Sequence, residues 1–166
     1  FPVHLSLFAE MVKGRQWVPA TLQQLGGAVG VGVQFLRESL SAAHAPAGHR
    51  LHENAARRIL EGLLPDVGTA IKTQHRTRAE LVQLSGYEHD PASFNSLLQI
   101  LEGDLKLIAP VDTLDTTKSN SDLRTYELYY QLSHDFLVPS IREWLYSEQR
   151  KTFAGRSRLL LAEQAA

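Results

Sequence analysis

A chain of 166 residues that is 43% hydrophobic and 21% charged, with 17 Lys+Arg against 18 Asp+Glu, has the composition of a soluble globular protein and enough apolar material for a real core. Its formal net charge of −1 excludes the basic excess that draws a whole domain onto phosphate backbones. The absence of cysteine excludes a disulfide framework, a thiolate nucleophile and a cysteine-based zinc site.

The length predicts one domain, or two small helical modules sharing a core. The longest mainly apolar stretch, Gly26 to Leu36, is too short and too rich in glycine to span a bilayer, and no basic-then-apolar segment stands at the start, so no membrane contact is expected and the cytoplasm is the expected compartment. Phe1 at the first position, Met11 as the single methionine and the helical pattern of Leu159 to Ala166 lead us to expect a piece of a longer protein.

In chain order, Leu7, Phe8, Met11 and Val12 predict a helix over 3–13, stopped by Gly14. Pro19 opens a short helix carrying Leu22 and Leu25, ended by Gly26 and Gly27. Gly26, Gly27, Gly30 and Gly32 read as a flexible connector, and Phe35, Leu36 and Leu40 predict a helix over 33–40. The stretch 42–48, with Pro46, reads as a linker and sets a boundary between modules.

From Gly48 onward Leu51, Ala55, Ile59 and Leu63 recur every fourth residue opposite Arg50, Glu53, Arg57 and Glu61, which predicts one surface helix ending before Pro65. An optional edge strand falls near 70–74. Thr77 and Glu80 form a capping box for a helix through Leu81 and Leu84 that Gly86 terminates. Asp90 caps the next helix, with Pro91 at its first position, Phe94, Leu97, Leu98 and Leu101 on one face and Gly103 past its end.

A strand is predicted within 105–111, and a second over 126–132, where Tyr126, Leu128, Tyr130 and Leu132 alternate with Glu127, Tyr129 and Gln131. The polar stretch 112–122 between them reads as a mobile wing. Helix, edge strand, helix, helix, strand, wing, strand is the order of a winged helix. A final helix carries Leu137, Ile141, Trp144 and Leu145 on its buried side, with Pro139 in or near its first turn.

The second helix of a helix-turn-helix pair is the usual reader of the major groove. Between Asp90 and Gly103 there is no Lys or Arg, and its exposed side offers Ser93, Asn95, Ser96 and Gln99, so nucleic-acid binding is the alternative reading and not the first. The glycine cluster lacks the Gly-Lys-Ser/Thr ending of a phosphate loop. His49 and His52 lie three apart with Glu53 adjacent, a partial ligand set without a third member in sequence, and partly exposed helix-end histidines are the commoner case. A metal-dependent enzyme is therefore the third reading. No G-x-S-x-G elbow is present to expose a nucleophile.

The sequence Leu132-Ser133-His134-Asp135 stands where a hairpin strand hands over to a helix, a junction with unpaired N–H groups able to hold a small anion. The alternative is that Ser133 or Asp135 caps the helix and His134 is a surface residue.

The run from Tyr130 to Leu145, YQLSHDFLVPSIREWL, resembles the end of the winged-helix region of STAND-class signalling NTPases. The nearest likeness is to large bacterial proteins, notably planctomycete ones, in which such a module is joined to a protein-kinase domain or WD40-type repeats. In that class a Met-His-Asp type motif sets a histidine against the diphosphate of ADP in the inactive state. The resemblance assigns that role to His134, with Asp135 supporting the turn and Ser133 in the place of the methionine. The start, FPVHLSLF, is similar to the helical segment after the ATPase core, and Pro2 then corresponds to the proline that touches adenine.

The expected fold is mainly α, a winged helix (helix-turn-helix plus β-hairpin wing) over 46–150 preceded by a helical module, 1–45, and followed by a helical linker, 151–166. The function implied is regulatory and not catalytic by itself, a nucleotide-state switch between an upstream ATPase core and downstream repeat or other domains. No cofactor is expected in the isolated chain, and ADP or ATP with Mg in the parent protein.

Overall fold

The computed structural model describes residues 19–24, 26–66, 74–112, 128–147 and 149–150, together with Ala9 and Lys13. Apart from Ala9 and Lys13, the helix expected over 3–13 lies outside the described residues, as do Pro2, residues 113–122 of the expected wing, Tyr126 and Glu127 of the second expected strand, and the linker 151–166. The described chain is mainly helical with one small antiparallel sheet.

Helix α1, Pro19–Gln24, and helix α2, Gly27–Leu36, meet at Gly26 and Gly27, whose φ of 83° and 74° lie in the left-handed region that glycine adopts without a Cβ clash. Helix α2 corrects the expected flexible connector, because Gly30 and Gly32 lie inside it. The helix then widens into a π turn over Arg37–Ser41.

Helix α3, Ala47–Leu51, is separated from α4, Glu53–Leu63, by His52, with φ −99° and ψ 8°. That break corrects the single helix read from the four-residue stripe. Ala55, Ile59 and Leu63 are buried, but Leu51 is 74% exposed and His52 is 4% exposed, so the side chain turned inward at the joint is the histidine.

Strand β1, Arg76–Thr77, runs directly into helix α5, Arg78–Ser85; residues 70–73 of the expected edge strand lie outside the described residues. The capping box is complete: Glu80 N–H donates to Thr77 Oγ1 over 3.2 Å and Thr77 N–H donates to Glu80 Oε2 over 2.7 Å. Gly86, with φ 79°, closes α5. Asp90 accepts from Ser93 N–H over 3.0 Å, and Pro91 starts helix α6, Pro91–Gln99. A second π turn, Ile100–Asp104, takes in Gly103.

Strands β2, Ile108–Asp112, and β3, Leu128–Leu132, pair antiparallel, with Ile108 opposite Leu132 and Asp112 opposite Leu128. Strand β1 adds to the other side of β3, with Arg76 opposite Tyr130, giving the order β1-β3-β2. The period-two pattern sends Tyr130 and Leu132 into the core, while Leu128 stays partly exposed.

Residues 137–147 form helix α7, which buries Leu137, Ile141 and Trp144. One hydrophobic cluster joins Leu36 and Leu40 to Ile59 and Leu60 of α4, Phe94 and Leu97 of α6, Tyr130 and Leu132 of β3, and Ile141 and Trp144 of α7. Arg142 Nη2 donates to Pro65 O over 2.5 Å, tying α7 to the end of α4.

Candidate functional site

The pairing of β3 with β2 carries past its last ladder residue. Ser133 N–H donates to Leu107 O over 2.9 Å, and Ser133 Oγ donates to Lys106 O over 2.6 Å. Lys106 has φ 52°, an uncommon conformation for a residue with a Cβ, and it belongs to the loop that delivers the chain from α6 to β2. The hydroxyl proton of Ser133 is thus committed to that loop, which fixes the position of the next residue, His134.

His134 begins a turn in which Leu137 N–H donates to His134 O and Val138 N–H to Asp135 O, each over 3.1 Å. Helix α7 follows at once, with Pro139 in its first turn, where a missing N–H costs no helical bond. The imidazole is half-buried and lies stacked on Phe136, with centroids 5.4 Å apart and planes 17° apart. Asp135 is exposed. An imidazole N–H held at the head of a helix is suited to a phosphate or carboxylate oxygen, since the helix N-terminus favours negative charge. Phe136 is itself 38% exposed, so the stack lies at the surface of the molecule. Pro2, the third residue of the expected site, lies outside the described residues.

The histidine pair near the α3–α4 joint has a different setting. His49 Nδ1 is 3.0 Å from Ser39 O, and its Nε2 is 3.5 Å from an Asp104 carboxylate oxygen, so one ring bridges the two π turns. His52 Nδ1 is 2.7 Å from Tyr87 Oη, and the two rings meet edge-to-face at 5.5 Å. Burial, more than any neighbouring charge, holds the His52 imidazole below its ordinary pKa; Asp90 acts the other way and His49 adds to the lowering. This corrects the expectation of partly exposed helix-end histidines at position 52. No group of His, Cys, Asp or Glu among the described residues is arranged to hold a metal ion.

The outer side of α6 presents Asn95, Ser96 and Gln99. Arg78, from the first turn of α5, reaches across to it: Nη2 donates to Asn95 Oδ1 over 2.5 Å, and the guanidinium lies 5.2 Å from the Phe94 ring centroid. Reading α6 by itself misses this cation, because it comes from the preceding helix. No helix among the described residues is long and apolar enough to cross a membrane. No protein-family model matches the chain, and no match was found among curated proteins or solved structures.

Proposed function

We propose that residues 46–150 form a winged helix and that the chain is the regulatory, nucleotide-state-sensing part of a STAND-class signalling NTPase. Two features support the fold reading. The order helix, short strand, helix, helix, strand, strand runs from α4 to β3, and the short strand pairs with the last one. The functional reading rests on one observation above all: His134 stands half-buried on the turn between β3 and α7, anchored by Ser133 on one side and stacked on Phe136 on the other.

In this reading His134 donates to the diphosphate of ADP in the inactive state, Asp135 supports the turn and Pro2 lies against adenine. ADP or ATP, with Mg, belongs to the parent protein, whose ATPase core supplies the phosphate loop; this chain contributes a single phosphate contact and no hydrolytic step. Closure onto the core in the ADP state and release after exchange pass the change to repeat or kinase domains downstream.

The test is His134→Ala in the full-length protein. A charge-assisted hydrogen bond made in one state only is worth about 1.5–3 kcal/mol, so the variant releases ADP about tenfold faster or more. The isolated chain, titrated with labelled ADP, binds weakly at best and turns over no ATP. Unchanged ADP release in the full-length variant, with a large loss of stability in the isolated chain, makes His134 a structural residue and overturns the reading.

A further inference from the structure

His52 occupies a position that a cation tolerates poorly for reasons visible in the geometry. It is 4% exposed, and burial penalises the charged form of any side chain. It is also the N-cap of α4: Ala56 N–H donates to His52 O over 2.8 Å, so the ring sits at the positive end of an 11-residue helix. His49, one turn earlier, adds a second imidazole, and Arg58 of α4 reaches the same turn, with Nη1 3.1 Å from the place a Cβ on Gly86 would take.

On the opposing side stand Tyr87, whose hydroxyl is the hydrogen-bond partner, and Asp90, the N-cap of α6, whose carboxylate favours a charged imidazole. Asp90 is committed to Ser93 and is exposed to solvent, which weakens its pull on the buried ring.

What this contact joins matters. His52 is the break between α3 and α4, and Tyr87 belongs to the turn between α5 and α6. The turn also depends on local bonds, with Tyr87 N–H donating to Ser85 Oγ over 3.2 Å and Asp90 N–H to Tyr87 O over 3.1 Å. The imidazole is therefore a fastening between the helical joint and the helix-turn-helix elbow. His49 fastens a different pair, the two π turns, through acceptors at both ring nitrogens.

We propose that His52 and Tyr87 form an acid-released latch: the neutral imidazole locks the α3–α4 joint against the α5–α6 turn, and the protonated one leaves its buried position and frees that turn. Ile59, Leu60 and Leu63 of α4 stay in the hydrophobic core, so the opening is local. Nothing in this latch involves nucleotide, and it stands or falls apart from the reading of His134.

The experiment follows imidazole signals and amide hydrogen exchange by NMR in the 166-residue chain, with rates corrected for the intrinsic pH dependence of exchange. His52 titrates below the ordinary histidine value of about 6.5. Protection of residues 86–90 falls as pH drops below about 6.5, by up to about tenfold per pH unit, while that of residues 59–63 holds. In His52→Gln the protection of 86–90 is flat across the same range. Tyr87→Phe, which keeps the ring and loses the hydroxyl, lowers protection of 86–90 at neutral pH and serves as the second variant if His52→Gln does not fold. The proposal is overturned by wild-type protection that does not change between about pH 5 and 7. It is equally overturned by a His52 midpoint at or above the ordinary histidine value of about 6.5, by a drop that persists in His52→Gln, by unaltered protection in Tyr87→Phe, or by a loss spread equally over 59–63.

Discussion

Ser140 fills the space in which a side chain on Gly32 would have to stand. A Cβ built on Gly32 lies 2.6 Å from Ser140 Cβ and nearer still to its hydroxyl oxygen. The same hydroxyl donates to Val29 O over 3.2 Å, so α2 and α7 are joined here backbone to side chain. The glycine trades helix propensity for contact with the helix that follows His134.

Gly32→Ala is therefore expected to destabilise the chain by about 1–3 kcal/mol in urea unfolding, although alanine is the better helix former. Gly48→Ala in α3, where a Cβ meets nothing within 4 Å, is expected to be neutral or to stabilise by up to about 1 kcal/mol. Adding Ser140→Gly to Gly32→Ala recovers part of the loss. Equal effects of the two alanines would remove the packing explanation.

This contact also shows which parts of the molecule were legible in the sequence. The caps at Thr77, Gly86 and Asp90 and the alternation at Tyr130 and Leu132 depend on residues a few positions apart, so short-range chemistry decides them. The glycine segment misleads because its determinant, Ser140, is remote in sequence. The stripe through Leu51 fails for another reason: the fourfold period assumes an unbroken helix, and the break at His52 resets the phase and turns a histidine inward. At the candidate site, the strand-to-helix handover at His134 is a local signal, whereas the Lys106 tie depends on the register of β2 against β3. Tyr87 carries no motif, so its pairing with His52 emerges only from the packing of α3 and α4 on the elbow.

The Arg57 guanidinium lies 4.4 Å from the centroid of the Trp144 ring and pairs with Glu53, Nη2 to Oε1, over 2.5 Å. Trp144 is 0% exposed, and its indole N–H is buried with no hydrogen-bond acceptor among the described residues. Trp144→Ala is expected to cost about 3–5 kcal/mol. Trp144→Phe should cost far less than that, because it retains an aromatic face for Arg57 and deletes a donor whose burial already incurs a penalty. Unfolding measured on both variants decides the point; similar losses would mean that ring volume alone governs this junction.

Nucleic-acid binding is testable with equal directness. With Asn95, Ser96 and Gln99 outermost on α6 and Arg78 engaged with Asn95 and Phe94, gel-shift assays with random duplexes are expected to give no more than weak retention that salt abolishes. A salt-resistant, sequence-selective complex would move the winged helix to a DNA-reading role.

The capping box of α5 predicts a pH response at the acid end. The Glu80 carboxyl is held below its ordinary pKa, first by the hydrogen bond from Thr77 N–H, with help from the Thr77 side chain and from Arg76. A carboxyl depressed in the folded state contributes stability that is present above the ordinary carboxylate range, about 4.3, and is lost as pH falls through its folded value. Thr77 also pairs with Tyr129 in the sheet, so loosening the cap loosens the β1–β3 contact as well. Thr77→Ala is expected to cost about 1 kcal/mol at neutral pH, and Thr77→Ser much less, since serine keeps the accepting oxygen. Glu80→Gln keeps an oxygen for Thr77 N–H but has no proton to gain, so its unfolding midpoint in urea should fall less steeply than that of the wild type as the pH is lowered from about 5 to 3. Identical slopes for the two proteins across that range would show that other carboxylates govern the acid response and that the box contributes only its hydrogen bonds.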